Sequence, residues 1–320
     1  MSEPLKAPIP PDAPKTAFNF RQVIPTADTS DVTESPAVLY RSSRLDTLSE
    51  EEVTWFNKNG IRTIIDGRSL REYNKADGEK NIEKHYPVQK VSFPFLGWRY
   101  HVGDKVKATE VTTNQNEERH GNHFLVNFLR LGFYAAFLGR VPWYLAIYSL
   151  WFLVKDIWNK NVHWTNFFLF FERRCPIRLI GHYKNFVNGS QASIAASLKL
   201  LSQPGALPAI IVCQFGKDRT GLLVAFILTL MGKSREYVVW EYALSQEGMA
   251  SQVDRMRVEV CERYHVNEDL LTARKETIIE ILDYVEERYG GVEAYLEHCG
   301  FGKEEQETLR RNIAGKLKQS

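Results

Sequence analysis

The chain has 320 residues, 44% of them hydrophobic and 25% charged, the balance of a folded globular protein with room for one large domain or two small ones. Its 41 basic and 39 acidic residues leave a net charge of +2, which gives no ground for nucleic-acid binding. The four cysteines, Cys175, Cys213, Cys261 and Cys299, are widely spaced and form no zinc-ligand pattern, so reduced thiols in a cytoplasmic protein, without metal or cofactor, are expected.

Residues 1–15, MSEPLKAPIPPDAPK, are proline-rich and polar and read as a flexible leader lacking the apolar core of a signal peptide. Residues 16–320 read as one domain carrying an insertion. AVLY (Ala37 to Tyr40) has strand character. LSEEEVTWFNKNG has helix punctuation: Ser49 and Glu52 have capping-box spacing, and Gly60 fits a stop. IRTII (Ile61 to Ile65) is β-branched and apolar, a buried strand that ends at Asp66. Strand, helix, strand at this spacing predicts an α/β fold with a central, mainly parallel sheet flanked by helices. VQKVSFPF (Val88 to Phe95) reads as a further strand, with Pro94 near its end.

Residues 103–123 are polar and read as loop. Residues 124–154, FLVNFLRLGFYAAFLGRVPWYLAIYSLWFLV, are strongly apolar, but the uncharged run Val141 to Val154 is too short to span a bilayer. FFLFF (Phe167 to Phe171) adds a second apolar patch. An insertion over about 119–171 therefore has two readings: helices buried as core or lid, or a membrane-contacting hairpin whose rings and arginines suit a bilayer interface. Beyond it the pattern is regular. Tyr183 to Leu201 reads as helix, PGALP as turn, AIIV (Ala209 to Val212) as a short buried strand, and DRTGLLVAFILTLMG as a central helix. Amphipathic helices follow at Arg235 to Gln246, Ser251 to Arg263, Arg274 to Tyr289 and Glu304 to Lys318.

The chemistry concentrates in VCQFGKDRTG (Val212 to Gly221), where a strand gives way to a helix. Gly216 permits a tight turn whose backbone N–H groups form a concave nest for an anion, and the new helix adds its positive end. Cys213 falls at the floor of that nest. The field that binds an anion also favours a thiolate, the form of sulfur that attacks phosphorus. Arg219 offers a planar fork to two phosphate oxygens, and the Thr220 hydroxyl stands where it could bond the sulfur.

Cys213-Gln-Phe-Gly-Lys-Asp-Arg-Thr-Gly221 resembles the signature of the cysteine-dependent phosphatases. It is most similar to the tyrosine phosphatase-like family with a GKDRTG loop, found in bacteria and fungi and including lipid-phosphatase virulence factors. FNFRQV (Phe18 to Val23), YRSSRLDTLS (Tyr40 to Ser49), IDGRSLRE (Ile65 to Glu72) and GGVEAYLEHCGF (Gly290 to Phe301) resemble that family's NFRD element, R-S-x-x-L stretch, D-x-R-S-x-x-E motif and C-terminal helix pair. The resemblance implies that Cys213 forms a phosphocysteine, that Arg219 holds the phosphate, and that Asp218 protonates the leaving oxygen, with Asp66 as the alternative acid. Gln214, Phe215, Gly216, Lys217 and Thr220, with Asp66 and Arg68, are the expected substrate-binding residues, although Asp66 and Arg68 also suit a structural ion pair. The expected partners are a phosphorylated protein, first as phosphotyrosine, or a phosphoinositide at a membrane surface, which Lys217 would favour. Three departures stand out: Val212 replaces the histidine that precedes the family's nucleophile, D-L-R becomes Asp66-Gly67-Arg68, and the glycine pair after the NFRD element is missing. The first leaves open a non-catalytic binder of phosphorylated ligands.

Overall fold

A computed structural model describes residues 7–25, 37–93, 107–110, 120–139, 142–144, 147, 178–262 and 267–319. Among these, the short β-branched and apolar runs pair into one seven-stranded sheet. The strands are β1 (Arg21–Pro25), β2 (Ala37–Ser42), β3 (Thr63–Asp66), β4 (Val88–Ser92), β5 (Lys107–Glu110), β6 (Asn122–Leu125) and β7 (Ala209–Val212). Their order is β1-β2-β7-β3-β6-β4-β5; the five inner strands run parallel and the two edge strands antiparallel. The expected α/β architecture is the one observed.

Register places the functional edge. Ser42, Val212, Asp66 and Leu125 stand level at the carboxyl ends of β2, β7, β3 and β6. Loops leaving those ends therefore meet in one row, the usual position for a ligand in an open α/β sheet.

The helices are α1 (Glu50–Lys58), α2 (Leu70–Lys75), α3 (Leu131–Leu138), α4 (Leu179–Gly189), α5 (Gln191–Leu201), α6 (Asp218–Leu230), α7 (Arg235–Ala243), α8 (Lys275–Tyr289), α9 (Val292–Cys299) and α10 (Lys303–Gln319). The capping box of α1 forms as expected from Ser49 and Glu52, and Gly290 ends α8 in the left-handed region. β7 alternates its side chains: Ala209 and Ile211 enter the larger apolar cluster with α6, while Ile210 and Val212 enter a second cluster with Phe20, Tyr40, Trp55 and Phe56. Helix α6 is buried from Thr220 to Leu228, matching its near-continuous apolar sequence.

Several expectations change. Residues 7–15 do not hang free: the backbone N–H groups of Lys15 and Thr16 donate to the Glu52 carboxylate, and Pro8 O accepts from Gln22 N. The segment read as loop over 103–123 holds β5 and the start of β6, and the apolar stretch from 124 begins as that inner strand rather than as a helix. Its residues are apolar because Phe124, Leu125, Val126 and Phe128 are buried core. Most of 119–171, FFLFF included, lies outside the described residues, as do Pro94 and Phe95 of the expected fourth strand. The helix expected over 183–201 is two helices parted at Ser190, and Gly189 just before the break lies against the backbone of Gly132, where a Cβ would sit 2.4 Å from the carbonyl oxygen. The helix expected over 251–263 is a 3₁₀ turn, one α turn and a π-helix in series. None of the described helices is long and apolar enough to cross a membrane.

Val212 itself is fully buried among apolar side chains. A histidine there would enter that cluster, so Val212→His is expected to lower stability by about 1–3 kcal/mol, the cost of a poorly satisfied buried polar group. A urea midpoint at or above that of the native chain would contradict this packing.

Candidate active site

The loop from Cys213 to Lys217 leaves β7 and enters α6. Cys213 is 2% exposed on its floor. Gly216 has φ +64°, and a Cβ there would lie 2.3 Å from Ser42 O, so only glycine fits both the turn and the strand beside it. The backbone N–H groups of Gln214, Phe215, Gly216 and Lys217 donate to no acceptor among the described residues. Together with the positive end of α6 they form the anion nest expected from the sequence.

The loop is held from behind through its carbonyl groups. Asn19 Nδ2 donates to Gly216 O (2.9 Å) and Phe215 O (3.1 Å), and Arg41 Nη2 donates to Gly216 O at 2.6 Å. Arg41 and Arg21 share the buried carboxylate of Glu241, at 2.7 and 2.9 Å. Arg21 also bonds Asn19 Oδ1 and the Ser245 hydroxyl. Burial and the charge of Arg41 lower the Arg21 pKa to about 9, which leaves it charged at neutral pH. Two cations on one anion leave a net positive charge directly beneath the nest.

Arg219 is oriented by α2. Its Nη1 donates to Gly67 O (3.0 Å) and Glu72 Oε2 (3.1 Å), and its Nη2 to Glu72 Oε1 (2.9 Å). A guanidinium has five N–H donors. Both hydrogens of Nη1 and one of Nη2 are engaged, so the Nε edge keeps two parallel donors for an oxyanion. Burial opposes the Arg219 charge, yet Glu72 and Cys213 hold its pKa above the ordinary arginine value. Burial likewise opposes the Glu72 charge, and Arg219 keeps that carboxyl below its ordinary range. Ser69 N and Oγ bond the same carboxylate in a capping box, which locks its rotamer. Gly67 is explained by this arrangement: a Cβ there would stand 3.2 Å from Arg219 Cβ. The Gly67 departure from the family pattern thus suits close packing of the arginine.

The remaining expected residues separate. Asp66 and Arg68 are wholly buried. Arg68 pairs with Asp66 at 2.7 Å and Asp46 at 2.6 Å, and His123 Nε2 lies 3.2 Å from Asp66. Burial works against the Asp66 charge, but Arg68 and His123 hold its carboxyl far below the usual range. The pair braces the β3 end through this buried network of Asp46, Asp66, Arg68 and His123. Lys217 is also corrected: its ammonium is fully buried, donates to Leu270 O and Thr272 O, and lies 3.2 Å from Asp218 Oδ1. It fastens the loop to residues 270–272 instead of facing outward. Phe215 packs near Phe18 at 6.4 Å, and Gln214 Nε2 donates to Glu259 at 3.2 Å, so both side chains are wall rather than ligand donors. The Thr220 hydroxyl is buried without a partner among the described residues and stays available to the nest.

Asp218 begins α6 and keeps part of its carboxylate exposed. The Tyr183 and Tyr242 hydroxyls meet at 2.7 Å behind it, and the Tyr242 ring packs on Gly221 one turn along. Burial, then the charge of Asp218, raises the Tyr183 pKa well above its ordinary value. Sequence reasoning missed Asn19, Arg41, Glu72 and Glu241. Asn19, Arg41 and Glu72 each lie in a stretch that resembles a family element but carry no role legible from it; Glu241 lies 28 residues past Cys213 with no pattern to mark it.

Comparison with known proteins agrees with this geometry. The model of the tyrosine phosphatase family matches residues 13–135 and 175–315. The triple specificity protein phosphatase PtpB of Mycobacterium tuberculosis is 24% identical over 313 residues, spanning 93% of this chain and 97% of that protein. Both flanks of the apolar segment, the Cys213 loop and the elements that brace it lie within the matched residues, and the chain belongs to the tyrosine phosphatase family as a cysteine-dependent phosphoric monoester hydrolase.

Proposed function

We propose that the protein hydrolyses phosphomonoesters through a phosphocysteine intermediate, with protein phosphotyrosine as its substrate class. The observation that carries this reading is Arg219, clamped on one edge by Glu72 and close enough to Cys213 for the two charges to interact. In the first step the Cys213 thiolate attacks phosphorus, the S–P bond forms and the P–O bond to the tyrosyl oxygen breaks. The departing oxygen takes the proton of the Asp218 carboxyl. In the second step water attacks phosphorus, Asp218 takes its proton, the S–P bond breaks and inorganic phosphate leaves. The loop amides and the Arg219 fork hold the three non-bridging oxygens through both steps, so positioning and fixed charge supply most of the acceleration. A placed general acid contributes about 10²–10⁴-fold.

The buried ammonium of Lys217 favours phosphotyrosine over phosphoinositide, since a lysine spent on two carbonyl groups does not reach a polyanionic head group. The name of the Mycobacterium relative, a triple specificity protein phosphatase, supports a protein substrate without singling out phosphotyrosine. Cys213→Ser is expected to abolish turnover of a phosphotyrosine peptide while preserving its binding, because the nest and Arg219 remain. Glu72→Gln is expected to cost about 100-fold in kcat/KM, since a fork displaced by an ångström loses the transition state. Steady-state kinetics and titration calorimetry measure both. Turnover by Cys213→Ser near the native rate overturns the chemistry, and binding with no turnover by the native chain identifies a non-catalytic phosphate binder.

A second reading, contact with a membrane surface, has its own observation. Leu131 (62%), Trp143 (75%), Tyr144 (57%) and Ile147 (59%) are large apolar side chains left exposed along one stretch of chain. Aromatic rings with arginine nearby suit the boundary between head groups and acyl chains. The protein is expected to co-sediment with liposomes, more strongly when they carry anionic lipid, and Trp143→Ser with Tyr144→Ser and Ile147→Ser is expected to release it. Full recovery in the supernatant with and without anionic lipid contradicts the membrane reading and leaves the phosphatase reading intact.

A further inference from the structure

Arg44 is a buried cation that the chemistry above does not use. It is 4% exposed, and its Nη2 is buried without a hydrogen-bond partner among the described residues. The contrast with its neighbours is sharp. Arg21 and Arg41 hold Glu241, Arg68 holds Asp66 and Asp46, and Arg219 holds Glu72. No carboxylate among the described residues comes within ion-pair distance of Arg44. An unpaired guanidinium taken out of water is unfavourable, so a buried one without an internal counterion is accounted for when an anion arrives from outside.

Its place in the fold says which anion. Arg44 lies two residues beyond Ser42, whose register partner is Val212, the residue before the nucleophile. The intervening backbone touches the loop: a Cβ on Gly216 would stand 2.3 Å from Ser42 O and 2.6 Å from Ser43 N. The backbone that carries Arg44 therefore leaves the same carboxyl edge of the sheet as Cys213. The phosphate of the substrate is already provided for by the loop amides and the free edge of Arg219. Lys217, the other cation of the loop, points inward to Leu270 O and Thr272 O. Arg44 also stands at one of the unspecified positions of the R-S-x-x-L stretch.

We infer that Arg44 is a specificity-determining residue that receives a second anionic group of the substrate, the carboxylate of an acidic residue flanking phosphotyrosine. The inference rests on the phosphotyrosine reading above. Guanidinium pairs with carboxylate through two parallel N–H···O bonds, and a partly desolvated site strengthens them.

The test uses two phosphotyrosine peptides that differ only in Asp and Glu against Asn and Gln around the phosphorylated residue. The native chain is expected to show kcat/KM about tenfold higher for the acidic peptide, the worth of one charge-assisted hydrogen bond. In Arg44→Met this ratio is expected to fall to near one, and Arg44→Lys is expected to restore part of it. Arg44→Gln reads the same ratio where the methionine variant does not fold. A ratio near one in the native chain, or a ratio unchanged in Arg44→Met, overturns the assignment while peptide hydrolysis itself upholds the phosphotyrosine reading. Hydrolysis of neither peptide by the native chain overturns both. A soluble inositol bisphosphate serves as a third substrate: an Arg44→Met loss confined to it assigns the arginine to a polyphosphorylated head group and overturns the peptide assignment.

Discussion

The carbonyl oxygen of Gly216 accepts hydrogen bonds from Asn19 and Arg41, and the geometry of the site depends on that capture. A phosphate nest requires its N–H groups to converge, so its C=O groups must point away into the protein. Buried carbonyl groups need donors. Here they come from the residues around β1 and β2, and the arginine among them is fixed by Glu241 from α7. Two arginines on one carboxylate would be an extravagant core. Behind an anion site they serve twice, as donors to the loop and as surplus positive charge beneath it. Buried ion pairs add little net stability on their own, which favours a positioning role for this one.

The same logic runs through Arg219. A guanidinium free to rotate would lose most of its value as a transition-state clamp, because the fork must be in place before charge develops. Glu72 takes the terminal edge and is itself held by Ser69, so the nitrogen edge that remains is aimed by a helix cap. A capping box, ordinarily a few tenths to about one kcal/mol of helix stability, here becomes part of the reaction machinery. Asp66 and Arg68, the other half of that motif, brace the strand end on which Gly67 sits.

The sequence made some of this legible and not the rest, for physical reasons. The Cys213 loop was legible because tight turn, nucleophile and arginine follow one another along ten residues. Strands β3 and β7 were legible because buried parallel strands are short apolar runs with turn residues at their ends. The roles of Lys217 and Asp66 were not. A lysine in a glycine loop looks solvent-facing until the carbonyl groups of residues 270 and 272, more than fifty positions away, are brought to it. Asp66 could be acid or brace until His123 and Asp46 arrived from other elements. β6 was hidden because its polar Asn122 and His123 read as the end of the preceding loop, while Phe124 and Leu125 merged into the longer apolar segment that follows.

The account turns on Cys213 as nucleophile, and the intermediate tests that most directly. Mixing the protein with a phosphotyrosine peptide, quenching in acid within milliseconds and mapping the phosphate by mass spectrometry reads the covalent state before water can attack. The account predicts phosphate on the peptide that contains Cys213, and on no other residue. Phosphate on a different side chain, or steady turnover with no phosphorylated protein at any quench time together with loss of activity to a chelator, would contradict it.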